Sequence, residues 1–450
     1  MLFTHLLTRP PVVVIVTYDK EGNPISQGSG FIVRKDGAIV TNYHVISNAG
    51  NIKIKAGSKV LRVEGLLYID KENDIVILKA KAKELPIVKL GDIDKTEVGE
   101  NVYVISSPLG LENTISEGIL SGKREIDPKS KILQITAAIS EGSSGSPVFN
   151  KNGEVIGIAT FILKEAQNLN FAMPVNLIKN KISAKKITAL KEAKIEDYKK
   201  TAEYWFTLGY YYIQAELYRE TIEAYKQAIR IKPDYAEAHF GLGIAYGELG
   251  MYREEIEAYK QAIRIKPDLT EAHYNLGVVY GKLGMYREEI EAYKQAIRIK
   301  PDLTEAHYNL GVTYSNLGMY KEAMEAFKQA IRIKPDYAEA HYNLGNTYHI
   351  SGMFTEAVEA YKQAIRIKPD LAKAHYNLGF TYGKDLGMYR EAFEAFKQAI
   401  RIKPDYAEAH YSLGVTYLIV NDRGSALEEY KILKDLDPQK AIELFNLIYK

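Results

Sequence analysis

The chain has 450 residues, 46% of them hydrophobic, and its 59 Lys and Arg nearly balance its 57 Asp and Glu for a net charge of +2. That length has room for two independently folded units, and a balance so close to zero speaks against nucleic acid as a partner. There is no cysteine, so disulfides, thiol catalysis and cysteine-held metals are excluded; no metal site and no cofactor is expected.

Taken in chain order, Met1–Pro10 lacks the basic start, long apolar stretch and small-residue cleavage site of a secretory leader. The apolar run Val12–Val16 that follows is far too short to span a membrane. The expectation is a cytoplasmic protein, with export as the alternative if a start lies upstream. Val12–Tyr18, Gly30–Arg34, Ile39–Asn42, Asn51–Lys55, Ile75–Ala80, Asn101–Ser106, Ile132–Ala137 and Val155–Phe161 are rich in Val, Ile, Thr and aromatics and are bounded by Gly, Asp, Asn or Pro. So many short strands predict a barrel or sandwich over residues 1–185.

Three segments of that region carry chemistry: Thr41–Val45 (TNYHV), Asn73–Val76 (NDIV) and Gly142–Pro147 (GSSGSP), in the order His, Asp, Ser. A serine hydroxyl is a weak nucleophile until an imidazole takes its proton, and a carboxylate must fix the imidazole's tautomer. Of nine histidines, seven lie in the repetitive C-terminal half and His5 sits at the start, which leaves His44 as the candidate base. Glycines on both sides of the serine pair allow a tight turn that aims the N–H groups of Gly142 and Ser144 at one point, as an oxyanion hole requires. An α/β-hydrolase elbow is excluded, because Ser146 stands where its second glycine belongs and its histidine must follow the serine. Taken singly, Asp74 is a turn carboxylate, His44 a core imidazole and Ser144 a loop serine. Taken in order, they read as nucleophile Ser144, base His44 and orienting acid Asp74.

At these residues the chain resembles the trypsin-like peptidases, and their HtrA/Deg branch in particular. Gln27–Ile32 followed by Gly37–Val45 looks like that family's opening strands, Asp70–Leu78 like its catalytic aspartate segment and Asn170–Pro174 like its last strand. The resemblance covers roughly residues 10–180 and implies a chymotrypsin-like pair of β-barrels with the triad in the cleft between them. It also implies an ATP-independent endopeptidase and a possible homo-oligomer. Two departures stand out: Gln134–Ile139 lacks the aspartate usual before the serine loop, and Ser143 and Ser146 replace the commoner Asn and Gly. The residues resembling the specificity pocket, Ala138–Ile139, Ala159–Phe161 and Asn170–Ala172, include no acid, so cleavage after small or aliphatic residues is expected.

Ile178–Lys200 is lysine-rich with loosely helical Ile and Leu, and residues 186–201 are expected to form a linker helix. Beyond it the period takes over. Lys-Pro-Asp ends fall at Pro233, Pro267, Pro301, Pro335, Pro369 and Pro404, followed by Asp-Pro at Pro438. This spacing of about 34 residues points to tetratricopeptide repeats, paired antiparallel helices stacked into a solenoid. Trp205, Leu208, Gly209 and Tyr212 match that family's opening pattern, and His239, His273, His307, His341, His375 and His410 replace the tryptophan in later units. One His per repeat at a packing position reads as a helix-interface side chain rather than a metal ligand, and His349 carries no ligand signature. Seven repeats are expected over residues 202–438, with a capping helix at 439–450. The extra Asp385 is expected in the turn between the helices of the sixth unit.

The all-β region followed by the all-α solenoid makes the chain multidomain. Asn275, Asn309, Asn343 and Asn377 recur at one repeat position beside Tyr274, Tyr308, Tyr342 and Tyr376. Stacking would align them as a ladder able to bind an extended peptide backbone, since an amide both donates and accepts. The alternative is a merely solvated polar position in a much-copied repeat. Two functions remain open: a serine endopeptidase whose repeats recruit protein substrates or a partner, and a repeat scaffold with a weak or inactive protease-like domain.

Overall fold

The computed structural model describes residues 11–106, 114–127, 130–140, 142–162, 170–193 and 195–450, with the backbone alone at 125–127, 130, 131, 161 and 162. His5 and Met1–Pro10 therefore lie outside the described residues, as does the side chain of Phe161. The chain divides into two compact units, Met1–Ile265 and Lys266–Lys450.

In the first unit, β1 (Val12–Tyr18), β2 (Pro24–Arg34), β3 (Ala38–Asn42), β4 (Asn51–Ala56), β5 (Lys59–Asp70) and β6 (Ile75–Ala80) close a barrel in the order β1-β2-β3-β6-β5-β4. A second set follows: β7 (Lys89–Leu90), β8 (Asn101–Ser106), β9 (Thr114–Asp127), β10 (Ser130–Ile135), β11 (Pro147–Asn150), β12 (Glu154–Ile162) and β13 (Asn170–Pro174). Its sheet runs β11-β8-β9-β10-β13-β12 and closes through β11–β12, with β7 added to β12. Both barrels thus share one winding order, a double barrel of the chymotrypsin kind. Strand β6 shows why the sequence reads as a continuous apolar run. Val76 and Leu78 point into the first barrel with Ile15, Ile32 and Ile39. Ile75 and Ile77, one residue out of phase, pack on the other face with Ile105, Phe149, Ile158 and Phe171 of the second.

The first helical turn, α1 (Tyr43–Ile46), sits directly after β3. The predicted linker helix over 186–201 is corrected by the structure: the described residues there are irregular apart from a single 3₁₀ turn at Tyr198–Lys200. Barrel residues take the backbone groups that a helix would have satisfied internally. Leu66 and Thr188 exchange two backbone bonds of 2.8 Å each, and Arg34 Nη1 donates to the carbonyls of Ile182 and Ala184 at 2.9 and 2.7 Å. Helix α2 (Ala202–Gln214) then pairs with Tyr218–Ile231, and Ala236–Glu248 pairs with Tyr252–Ile265. Leu208, Tyr210 and Tyr211 of α2 belong to the same buried cluster as Phe31, Val40 and Phe171. The first repeat is therefore continuous with the core of the barrels.

In the second unit, helix pairs run from Thr270–Lys282 with Tyr286–Ile299 through Ala407–Ile419 with Arg423–Leu436. The repeated glycine is required by a ring. A Cβ on Gly277 would come 2.6 Å from the Tyr293 ring, and one on Gly311 2.7 Å from Phe327. The repeated histidines close the Lys-Pro-Asp turns: Nε2 of His273, His307, His341 and His375 each lies 3.0 Å from the proline carbonyl six residues earlier. The extra Asp385 is not in the interhelical turn as expected. The helix absorbs it as a π-helical turn, Thr381–Asp385, in which the Leu386 N–H reaches the Thr381 carbonyl at 3.2 Å. His349 holds this widened turn from the preceding repeat, with Nδ1 3.0 Å from Thr381 Oγ1 and 3.6 Å from the Asp385 carboxylate. Pro438–Ile448 ends the array, burying Ala441, Leu444 and Ile448 on Ala426 and Leu433.

His410 differs from its counterparts because both ring nitrogens face acceptors: Nδ1 to Glu429 Oε2 at 2.6 Å and Nε2 to the Pro404 carbonyl at 2.9 Å. Only an imidazolium can donate to both. Burial lowers its pKa, but Glu429 and the Pro404 carbonyl together outweigh burial, and the net shift is upward from 6.5. A raised folded-state pKa gives stability that is complete below the unfolded value and is lost as pH rises through the folded one. The stability gap between the native chain and Glu429→Gln should therefore be full below about pH 6.5 and close at higher pH. Thermal unfolding followed across that range checks this; a gap that widens with pH would contradict it.

Candidate active site

The helical turn α1 begins with buried N–H donors that its own residues leave unmet, since the Asn42 side chain does not cap it. Asp74 satisfies them from the start of β6. Its carbonyl accepts from Tyr43 N at 3.1 Å and from Asn42 Nδ2 at 2.9 Å, and its Oδ1 accepts from His44 N at 2.8 Å. Oδ2 lies 2.6 Å from His44 Nδ1. One residue thus fixes both the backbone and the ring of His44. It does so from a left-handed backbone at φ 53°, uncommon for a side-chain-bearing residue and found where function or packing over-determines it. With Nδ1–H directed at a carboxylate, Nε2 is the ring's basic atom.

Thr160, in β12, falls in the Ala159–Phe161 stretch read as specificity pocket, but its link to Asp74 is not read from the sequence. Its Oγ1 donates to Asp74 Oδ2 at 2.9 Å, and its carbonyl accepts from Ser144 Oγ at 3.2 Å. It therefore touches two of the three expected residues. The available signal was a lone hydroxyl in the otherwise apolar strand Val155–Phe161.

The serine loop is anchored to β2. Ser29 N donates to the Ser144 carbonyl at 2.8 Å and Ser29 Oγ to the Gly142 carbonyl at 2.9 Å, so the peptide units before Ser143 and after Ser144 are held from one residue. Ser143, which replaces the usual Asn, stays within the loop: its N–H donates to the Ser140 carbonyl at 2.9 Å and its Oγ lies 3.3 Å from Ser140 N. Gly142 and Gly145 have φ of 90° and 87°. At Gly145 an added Cβ would also run into the Ser29 carbonyl and the Thr41 hydroxyl.

Residues 28–158 match the trypsin-like peptidase domain. Stretches 209–250, 251–284, 286–318, 316–352, 345–385 and 384–418 match the TPR repeat. Serine protease HhoB of Synechocystis sp. is 38% identical over 160 residues, 34% of this chain and 38% of that protein. A periplasmic DegP-like serine endoprotease of Pseudomonas putida is 38% identical over 165 residues, 35% of each. The solved HtrA-type protease AlgW with tripeptide is 29% identical, covering 39% of this chain and 60% of that one with a TM-score of 0.35. The chain joins a trypsin-like peptidase domain to TPR repeats. The match spans a little over a third of the length of these curated relatives.

The expectation of a cytoplasmic protein is overturned here. DegP-like relatives from Pseudomonas putida are named as periplasmic, which points to export. The earlier reading rested on Met1–Pro10, and where a chain begins does not decide where it works. No helix among the described residues is long and apolar enough to cross a membrane.

In the TPR region the expected ladder is a set of bonds between repeats. Nδ2 of Asn309, Asn343 and Asn377 donates to the hydroxyls of Tyr274, Tyr308 and Tyr342 at 3.1, 2.9 and 3.2 Å. Asn377 Nδ2 also reaches Asn346 Oδ1 at 2.8 Å. Asn275, at the same position, is half-buried. One amide donor each of Asn309, Asn343 and Asn377 is therefore already engaged by the preceding repeat.

Gly145→Ala combines an unfavourable φ with two clashes, whereas Gly57→Ala, at φ 56° with nothing within 4 Å, has only the first. Gly57→Ala should cost about 1 kcal/mol and Gly145→Ala at least about 3 kcal/mol. Denaturant unfolding measures both; equal losses would mean that the loop is not packed on Ser29 and Thr41.

Proposed function

We propose that the chain is a serine endopeptidase acting through His44, Asp74 and Ser144, with the N–H groups of Gly142 and Ser144 as its oxyanion hole. The observation that carries this reading is the double hold of Asp74 on His44, through backbone N–H and ring Nδ1. It leaves Nε2 as the proton acceptor for Ser144, a half-buried residue whose Oγ is tied through Thr160 to the same Asp74 that holds the ring.

In this reading Ser144 Oγ exchanges the Thr160 carbonyl for His44 Nε2 as substrate enters. Oγ attacks the peptide carbonyl carbon and its proton passes to Nε2. The carbonyl electrons move onto an oxygen that the two N–H groups stabilise. Collapse breaks the C–N bond, and the imidazolium returns its proton to the leaving amine. Water, deprotonated by the same nitrogen, then frees the acyl group. ATP has no part in these steps. The walls near Ala138–Ile139 and Asn170–Ala172 carry no acid, which suits small or aliphatic residues before the cleaved bond.

The TPR repeats recruit protein substrates or a partner in this reading. In this reading Asn275, Asn309, Asn343 and Asn377 offer an extended peptide their side-chain carbonyl oxygens beside the neighbouring tyrosine rings.

Ser144→Ala or His44→Ala should reduce turnover on the order of 10⁶, and Asp74→Ala somewhat less. A fluorophosphonate probe should label the native chain and not Ser144→Ala. Labelling that survives the substitution would remove Ser144 as nucleophile, and an unlabelled native chain would favour the scaffold reading. Replacing Asn275, Asn309, Asn343 and Asn377 together by Ala should slow cleavage of long unfolded substrates while sparing short peptides. Equal loss on both, or loss on neither, would rule the ladder out as a recruiting surface.

A further inference from the structure

The turn that carries His44 is held from two sides. Asp74 fixes its start; the segment before the first repeat fixes its flank and its end. Glu196 N donates to the Tyr43 hydroxyl at 3.0 Å, one residue before His44. At the other end, Ser47 Oγ accepts from Tyr198 N at 2.8 Å and donates to the Glu196 carbonyl at 3.2 Å. Lys71 Nζ pairs with the Glu196 carboxylate at 3.0 Å, three residues before Asp74. Glu196–Tyr198 thus brackets α1 by three backbone groups, a geometry that cannot persist if this segment shifts by an ångström or more.

Two aromatic rings complete the arrangement. Tyr198 is fully buried, and its ring lies nearly parallel to the His44 imidazole, 6.4 Å between centroids at 21°. It meets Tyr43 at 5.6 Å and Tyr204 of α2 at 5.5 Å, both edge to face. Tyr211, also of α2 and fully buried, stacks on Phe171 of β13 at 4.6 Å and 18°. Burial first, and the charge of Asp74 second, push both phenols well above their ordinary value, and Thr160 partly offsets this at Tyr211. Both rings are thus buried in apolar surroundings, Tyr198 against the His44 ring and Tyr211 against Phe171.

We propose that the linker and first TPR repeat are part of the protease site, with Tyr198 and Ser47 as positioning residues that hold the His44 turn and exclude water from the His44–Asp74 pair. This rests on the reading of His44 and Asp74 as catalytic. An imidazole free to tilt loses alignment with both its carboxylate and the serine, and small misplacements of this kind lower the catalytic step rather than ground-state binding. Because Tyr198 is wedged against Tyr204 of α2, a load on the first repeat reaches the His44 turn through one ring.

The test uses the full chain and two readouts: the exchange rate of the His44 Nδ1 proton with water, by ¹⁵N-histidine NMR, and kcat and KM on a short peptide that does not need the repeats. Tyr198→Ala and Ser47→Ala should each speed exchange and lower kcat about tenfold with KM unchanged. Tyr198→Phe, which keeps the ring, should restore both. Ser47 is only partly buried, so Ser47→Ala keeps the test decisive if Tyr198→Ala does not fold. Wild-type exchange and kcat in folded Ser47→Ala and Tyr198→Ala would overturn the proposal. Failure of the triad reads out separately: faster proton exchange in the variants of a chain that a fluorophosphonate never labels would refute the nucleophile and leave the clamp standing.

Discussion

The arrangement around the site depends on Asp74 being fixed in a backbone conformation that its residue type disfavours. At φ 53° its carbonyl and its carboxylate face the same helical turn, so one residue caps α1 and orients the His44 ring. What holds Asp74 in place is distributed over the domain: Asn42 from the end of β3, Thr160 from the second barrel, and the register of β6 between β3 and β5. The Thr160 bond matters most here, because it ties a carboxylate of one barrel to a strand of the other. The relative placement of the barrels and the geometry of the His–Asp pair are therefore one constraint.

The join between the two kinds of structure follows from what each leaves uncovered. Strand β13 presents Phe171, whose ring needs an apolar cover beyond the barrels and finds it in Tyr211. A solenoid has the complementary problem at its first repeat, whose outer face lacks a neighbour. Leu208, Tyr210 and Tyr211 meet both needs at once. At the far end of the array the same problem is solved differently. There Leu444 of the closing helix fills the space over Gly414 that an aromatic ring fills over Gly277 and Gly311.

Much of this was legible in the sequence because it depends on local pattern. The 34-residue spacing, the strands with clear Val and Ile runs, and the His, Asp, Ser order needed no tertiary knowledge. What escaped was set by neighbours. Strands β5 and β9 carry Lys, Arg and Glu on exposed faces and glycines in mid-strand, and β11 opens on Pro147, so none has a clean strand signal. The lysine-rich linker has helical spacing, yet Arg34, Leu66, Tyr43 and Ser47 claim its backbone. Asp385 looked like a turn insertion because sequence cannot show that a helix will widen around it. Thr160 was hidden for the same reason: a hydroxyl in an apolar strand gains its meaning only from Asp74, 86 positions away. The asparagines of the repeats read as a peptide-binding ladder or a solvated position, but the hydroxyl that Asn309, Asn343 and Asn377 each meet belongs to the tyrosine of the preceding unit, 35 positions back.

The proposed reaction turns on attack by Ser144 on an acyl carbon. The most direct test is a crystal structure of the native chain reacted with a peptidyl boronate. The expected adduct has a covalent bond from boron to Ser144 Oγ, one boronate oxygen within hydrogen-bond reach of the Gly142 and Ser144 N–H groups, and His44 Nε2 facing it with Nδ1 still on Asp74. Boronate bound elsewhere, or an adduct on Ser144 with its oxygen turned away from both N–H groups, would contradict it.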